Sequence, residues 1–409
     1  MALAKHLVIV GAGMATAYLL RELARYEHAF RITVIGDEPD VCYNRVMLSG
    51  VLAGDSTEAD LGMFEAGDDS PALDFITATR VESVDLANRT LCTDSGQQLV
   101  YDRLVMATGA GVACPAGIDA DITGVEELRT LQDTRRLREL CASGSRAVVL
   151  GGGLLGLEAA HGLNSLGFST TLVHRRGHLM NRQLDAEGGC LLRRKMESSG
   201  VHFVLDAEVE SLHSVQNSLT GVTLGNSQLL PSDMLVVATG IAPRTDLARQ
   251  AGLAVDRGVL VDEYMRTSDV HCYALGECSQ LGQQCFGLVA PISAQAKVLA
   301  RQLLDIEGEA YVFEDWPTQL KISGIEIFSA GDPGATGDEL VMRDAGAGVY
   351  RRLVLREGRL VSAVLVGDKH EGSWYRELIS SAQDVSSIRS TLMFGRKVSE
   401  SMLGMKRAA

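Results

Sequence analysis

The feature that most constrains this chain is a pattern that occurs twice. A short apolar run, LVIVGAGMAT (Leu7 to Thr16), leads into a glycine-rich turn, and about ninety residues later comes Ala107-Thr108-Gly109. The run AVVLGGGLLGLE (Ala147 to Glu158) repeats the arrangement with Ala238-Thr239-Gly240. A glycine turn between strand and helix lets backbone N–H groups and a helix N-terminus approach a pyrophosphate closely. One such turn is weak evidence. Two in matched contexts predict two dinucleotides held face to face, the layout for passing electrons from a nicotinamide to a flavin.

The two copies are not identical. The first reads Gly11-x-Gly13-x-x-Thr16, with threonine where a third glycine usually allows close helix–strand packing. Gly11, Gly13, Met14, Ala15 and Thr16 are nevertheless the expected pyrophosphate cradle, with Thr108 and Gly109 beside it. An acid at the end of the second strand accepts hydrogen bonds from a ribose, and of Asp37 and Glu38 the preferred candidate is Glu38. The second copy, Gly151-x-Gly153-x-x-Gly156-x-Glu158, is complete, with Gly240 closing its Ala-Thr-Gly. Its second strand ends in Val173-His174-Arg175-Arg176, without an acid. Arginine there suits the 2′-phosphate of NADPH, while the bland alternative is a pair of solvated arginines, so NADH or NADPH stays open. A third signal is YALGEC, residues 273–278, where a strand ends in glycine and a carboxylate, Glu277, placed to bond a ribityl hydroxyl of FAD. Alone, a Gly-Glu pair means nothing; after the second Ala-Thr-Gly it is specific.

Pattern and composition together predict an α/β protein. Residues 7–10, 15–26 and 32–35 read as strand, helix and returning strand, and residues 147–173 repeat the unit. Residues 75–109 and 200–240 read as antiparallel excursions, the first turning at Asp94-Ser95-Gly96. The expected organisation is a flavin domain of residues 1–112 and 243–315, with a nicotinamide domain, 113–242, inserted into it. A small α+β domain of residues 316–409 follows, with strands around Arg356-Glu357-Gly358 and a helix at SWYRELISS. Two Rossmann-like three-layer domains plus this third one make up the predicted fold.

The formal net charge of −14 argues against a general nucleic-acid binder. The start, MALAKHLVIVG, lacks a signal-peptide pattern, and no segment has the eighteen or more apolar residues of a membrane span, so a cytoplasmic location is expected. None of the eight cysteines forms a Cys-x-x-Cys pair, so no metal site is expected.

With these motifs, CYNRVMLSG, LVHRRGHLMNRQLD and YALGECSQLGQQCFGLVAPISAQA make the chain resemble the pyridine nucleotide–disulfide oxidoreductase superfamily of glutathione-reductase fold. The resemblance is to the FAD/NAD(P)H part of assimilatory nitrite reductase large subunits, nitrate reductase electron-transfer subunits and rubredoxin reductases, and Lys321 to Asp332 resembles their small third domain. It implies that Tyr43, Asn44 and Arg45 lie along the flavin, with Arg45 near its phosphates, that Val81 borders the adenine, and that Glu158 lies near the flavin–nicotinamide contact. Glu158 and Arg45 are thereby the candidate catalytic-environment residues, since direct hydride transfer from the nicotinamide C4 to flavin N5 demands no acid or base. For Glu158 the bland alternative is a helix carboxylate paired with a nearby lysine or arginine. The resemblance also leans the donor toward NADH.

Two departures shape the expectation. The cysteines of the iron–sulfur and sirohaem domains of full-length nitrite reductases are missing, so this chain is expected to pass electrons to a separate partner. That partner is a nitrate or nitrite reductase catalytic subunit, or else a rubredoxin or ferredoxin. Five residues after Cys42 stands Met47, so the dithiol of disulfide reductases is absent. A Cys42-dependent NADH oxidase or peroxidase is one alternative, and a non-catalytic flavin-bound interaction module is another. Arg396, Lys397, Lys406 and Arg407 in the tail suit an acidic carrier or, more simply, a solvated terminus.

Overall fold

The computed structural model describes residues 4–64, 73–141, 145–313, 320 and 324–401. The chain divides into two compact units, one of residues 1–48, 57–113 and 241–314, the other of residues 49–56, 114–240 and 315–409.

Each unit is built around a five-stranded parallel sheet. In the first, the order is Cys272–Ala274, Arg103–Met106, His6–Val10, Arg31–Ile35, Leu73–Ile76. In the second it is His202–Leu205, Ser169–His174, Arg146–Leu150, Met234–Val237, Val125–Glu126. Leu7 to Val10 and Ala147 to Leu150 are all buried, as strands covered on both faces by helices must be. If the strand before each glycine turn is taken as first, both sheets have the same arrangement: second and third strands on one side, the Ala-Thr-Gly strand on the other. This is the doubly wound dinucleotide-binding order, which leaves a crevice at the carboxyl ends of the strands. Only the outermost strand differs in origin. Cys272–Ala274 comes late in the chain, whereas Val125–Glu126 precedes the strands it joins.

Between the units the chain leaves through Ala110–Val112 and returns through Ile241–Pro243, paired antiparallel. The helices after the turns span Met14–Leu23 and Leu154–Ser165. The long helix of the first unit spans Val289–Leu303.

One reading of the excursions needs correction. Leu73–Ile76 and His202–Leu205 pair parallel in the central sheets and do not belong to the antiparallel excursions. A half-buried edge strand shows the same alternation as a hairpin strand, so period alone cannot separate them. The antiparallel parts are smaller: Val81–Asp85, Thr90–Thr93 and Gln98–Val100 in one unit, Val209–Val215, Ser218–Leu224 and Leu229–Pro231 in the other.

The C-terminal residues form an antiparallel sheet in the order Ile327–Gly331, Arg359–Val366, Val349–Arg356, Asp338–Asp344. The helix Gly372–Ser381 sets Trp374, Tyr375 and Leu378 against Phe328, Leu353 and Leu365. Trp316, Lys321, Lys406 and Arg407 lie outside the described residues. Among the described residues, no helix is long and apolar enough to cross a membrane.

Candidate dinucleotide-binding sites

The first turn is locked to its sheet by the backbone. Gly11 N–H donates to Ile35 O at 2.7 Å, and Ala107 N–H donates to Val10 O at 2.8 Å. Gly11 has a φ of +111°, and a Cβ there would sit 2.1 Å from Ala107 O, so both conformation and space require glycine. Gly13 is the N-cap of Met14–Leu23 and provides no side-chain cap. The leading helix N–H groups, from Met14, Ala15 and Thr16, therefore have no capping side chain and suit an anion. Thr16, fully buried, turns its hydroxyl back onto Gly11 O at 2.5 Å.

Around this turn the structure brings together several residues singled out from the sequence. Arg45 Nε is 3.9 Å from where a Gly13 Cβ would be, which puts its guanidinium beside the turn. Arg45 pairs with Glu38, and Tyr43 OH donates to the other oxygen of that carboxylate at 2.5 Å. The guanidinium also lies over the Tyr43 ring, 4.8 Å from its centroid. Burial by itself would lower the Arg45 pKa, but Tyr43, Glu38 and more weakly Glu277 outweigh it, so the group is held more firmly charged than a free arginine. Asn44 caps the short 3₁₀ turn Arg45–Met47 by accepting Val46 N–H at 3.2 Å.

On the crevice side lies a cavity of about 660 Å³, lined by Gly11, Asp37, Val81, Thr108, Arg244 and Leu247 among others. The two neighbouring acids are thus set to different tasks. Asp37 lines the cavity and pairs with Arg244 at 3.4 Å, while Glu38 faces Arg45. Thr108 Oγ1 donates to Arg244 O at 2.8 Å, and Gly109 O accepts Arg244 N–H at 2.9 Å. Glu277 lies in the short 3₁₀ turn Gly276–Cys278, whose first N–H is held by buried Gln295 Oε1 at 2.8 Å. Arg244 and Gln295 were missed from the sequence, where nothing marks a lone arginine after a strand or a glutamine within a helix.

The second turn repeats the first in its own unit. Gly151 N–H donates to Val173 O at 2.9 Å, and Ala238 N–H donates to Leu150 O at 2.9 Å. A Cβ at Gly151 would sit 2.3 Å from Ala238 O, and one at Gly156 only 1.9 Å from Gly151 O. Gly153, the N-cap of Leu154–Ser165, again provides no side-chain cap, and Gly240 with φ +134° ends the Ala-Thr-Gly.

The His174 ring faces inward. Its Nδ1 accepts Gly152 N–H at 3.0 Å, and its Nε2 faces Asn181 Oδ1 at 3.2 Å. Because the Gly152 backbone N–H can only donate, the ring is neutral with its proton on Nε2, and burial correspondingly lowers its pKa. Arg175 and Arg176, next in the chain, are exposed. Glu158 is buried and accepts a hydrogen bond from Ser49 Oγ at 2.9 Å.

Cys42 is buried with its thiol pushed up to about 12 by desolvation, against a smaller opposing pull from Arg21. At neutral pH it is a protonated thiol, a poor redox nucleophile. Among the described residues no cluster of His, Cys, Asp or Glu could hold a metal.

Each turn therefore offers a glycine cradle and an uncapped helix N-terminus, and the first adds a partly buried arginine and an adjoining cavity; these residues fit dinucleotides. Fold and sites define a protein of the two-dinucleotide class, one glycine cradle in each unit. Residues 5–296 match the model of the pyridine nucleotide-disulphide oxidoreductase family, and the chain belongs to that family. Residues 317–383 match the rubredoxin NAD+ reductase C-terminal domain. The chain is similar to the nitrite reductase [NAD(P)H] of Bacillus subtilis (38% identity, 93% of this chain, 48% of the relative). It is also similar to the assimilatory nitrate reductase electron transfer subunit of the same organism (32% identity, 93% of this chain, 50% of the relative). It thus spans about half the length of these relatives. Among solved structures, the covalent putidaredoxin reductase–putidaredoxin complex shares the fold with a TM-score of 0.85 at 22% identity, covering 99% of each chain.

Proposed function

We propose that this chain takes electrons from NADH or NADPH onto FAD and hands them to a separate redox protein, as the electron-transfer component of a nitrate or nitrite reductase system. The observation that carries the reading is the duplicated turn, two cradles of one design in two units. Similarity to a nitrate reductase electron-transfer subunit supports the choice of acceptor. A rubredoxin or ferredoxin acceptor is the second reading, favoured by the rubredoxin reductase match at residues 317–383. Eight unpaired cysteines are in keeping with a reducing, cytoplasmic setting.

In this reading the flavin domain expected from the sequence, residues 1–112 and 243–315, holds FAD. Gly11, Gly13, Met14, Ala15 and Thr16 present backbone to the pyrophosphate and Arg45 neutralises it, with Asn44 fixing the turn that carries Arg45. Glu38 and Asp37 serve the ribose side, Val81, Thr108 and Gly109 border the adenosine, and Glu277 takes the ribityl chain. When bound, FAD supplies a centre that accepts two electrons together and releases them singly. The nicotinamide nucleotide falls to residues 113–242, on Gly151, Gly153, Gly156 and Gly240, with Arg175 at the adenosine end and His174 bracing the turn. Glu158, oriented by Ser49, is the carboxylate beside the nicotinamide.

Anaerobic titration with a reduced nicotinamide tests this. The expected result is bleaching of the visible flavin spectrum, complete at two electrons per flavin. A protein that binds no flavin refutes the reading. Uptake of further electrons with a long-wavelength thiolate–flavin band would instead assign the chemistry to Cys42.

A further inference from the structure

The second glycine turn is braced from its own unit on both sides. His174 Nδ1 accepts Gly152 N–H, and Met180 N–H donates to Gly152 O at 2.8 Å. Met180 is buried with a φ of +49°, so the chain folds sharply back to deliver that N–H. Its own carbonyl accepts Gln183 N–H at 2.7 Å and Leu184 N–H at 2.8 Å. Residues 178–184 thus close a compact loop against the cradle, and the next residue, Asp185, is the N-cap of the helix Ala186–Glu197. The loop also lies close on that helix, since Leu179 O is 2.8 Å from where a Gly189 Cβ would be.

The N-cap is where the C-terminal sheet takes hold. Asp185 Oδ1 accepts Gly188 N–H at 3.2 Å, the ordinary capping bond, and Oδ2 accepts the hydroxyl of Tyr350 at 2.6 Å. Tyr350 is buried in the strand Val349–Arg356, and Arg352, two residues on and on the same face, stands 4.0 Å from the same oxygen. A second link is exposed: Arg343, whose guanidinium lies over the Tyr350 ring, makes two bonds to Glu187 in the first turn of the helix. The buried link ends a continuous run of bonds, from Tyr350 to Asp185, from Leu184 to Met180, and from Met180 to Gly152.

We propose that Tyr350 is a positioning residue for the nicotinamide nucleotide: from the C-terminal sheet it fixes Asp185, and through it the loop that holds the second cradle in its binding shape. It touches no nucleotide. Without its hydroxyl Asp185 still caps the helix, but the far end of the loop loses its buried anchor and opens more often. Nucleotide must then bind the smaller closed fraction, and apparent affinity falls by that fraction. The proposal rests on the reading of residues 113–242 as the nicotinamide domain, and it gives the C-terminal sheet a task at the second cradle.

The FAD-loaded protein carrying Tyr350→Phe tests it, with NAD+ and NADP+ as calorimetric probes and hydrogen exchange read over residues 178–184. The nucleotide that the parent protein binds more tightly should bind roughly three- to fivefold more weakly, as when loss of one charge-assisted hydrogen bond opens most of a marginal loop. Exchange in the loop should quicken and return to the parent rate when nucleotide saturates. KM for the reduced nucleotide should rise with kcat level, and FAD affinity should hold. Asp185→Ser keeps a capping oxygen but has one where two are needed, so it should do the same, and it serves if the Tyr350→Phe chain fails to fold. Glu187→Gln, which weakens the exposed link alone, should match the parent. If Tyr350→Phe binds nucleotide and exchanges like the parent, or if Glu187→Gln loosens both as much, Tyr350 has no positioning role. A parent protein that binds FAD but neither nucleotide removes the nicotinamide reading itself, and the proposal with it.

Discussion

The two glycine turns solve one packing problem with opposite choices of size. In the first, the residue between the glycines is Ala12 and the strand end is bare Gly36, where a Cβ would come 2.6 Å from that of Ala12. In the second, the middle residue is bare Gly152 and the strand end carries His174, whose ring would lie 2.6 Å from a Gly152 Cβ. Only one of the two positions has room for a side chain, and each unit fills a different one. The third position also differs: Gly156 has its turn carbonyl 1.9 Å from a Cβ, whereas Thr16 fits and bonds the equivalent carbonyl through its hydroxyl. A motif can thus lose a glycine where the helix stands off far enough for a side chain that returns a hydrogen bond.

This contrast is broken most severely by adding a methyl group where the second turn has no space. Gly156→Ala should destabilise its unit by roughly 2–3 kcal/mol, the cost of overpacking against backbone, and abolish nicotinamide-nucleotide binding while bound flavin is retained. Gly156→Thr should be no better, because the contact is with backbone that cannot give. A Gly156→Thr protein that binds nucleotide normally would show that the turns are alike in spacing, and Thr16 would then be an accident of sequence. In the first turn the effect is smaller. Thr16→Val keeps the shape and loses the donor to Gly11 O, so it should cost about 1 kcal/mol and weaken FAD binding about fivefold. Thr16→Ser keeps the donor and should stay near the parent value, by flavin fluorescence titration.

Much of this was legible in the sequence because the turns are short-range. Strand, glycine and helix follow one another within Leu7 to Thr16, and the partner Ala-Thr-Gly repeats at a similar distance, so periodicity and spacing carry the signal. What escaped detection depends on distant chain. Arg244 joins the first site only because the chain returns alongside Ala110–Val112, and Gln295 reaches Gly276 from a helix whose pattern says only that it is buried. The strand Asp338–Asp344 was missed because DELVMRD lacks strand alternation; seven registered pairs with Val349–Arg356 and its neighbours hold it in place. His174 is marked in the sequence only as the end of a strand, and the three-dimensional placement of Gly152 shows its ring facing inward.

That inward ring gives the finest separation between the turns, a dependence on pH that only the second should have. The neutral His174 ring accepts Gly152 N–H, and protonation would point an N–H at an N–H. Burial is the main cause of its lowered pKa, with the charges of Arg175 and His178 adding to it and the Asn181 bond opposing. A histidine depressed by folding contributes its stabilisation above its unfolded value of 6.5 and loses it as pH falls through the lower folded value. Nicotinamide-nucleotide affinity should therefore stay level until the pH reaches the lowered folded value, below 6.5, and decline beneath it by at most about tenfold per pH unit. The first turn has Ala12 and Gly36 at these positions and no imidazole, so flavin retention should not follow that decline. His174→Asn, which removes the titrating ring, should flatten the profile at some loss of affinity at every pH. If the decline persists in that variant, the pH dependence belongs to another group, and the brace at the second turn is steric alone.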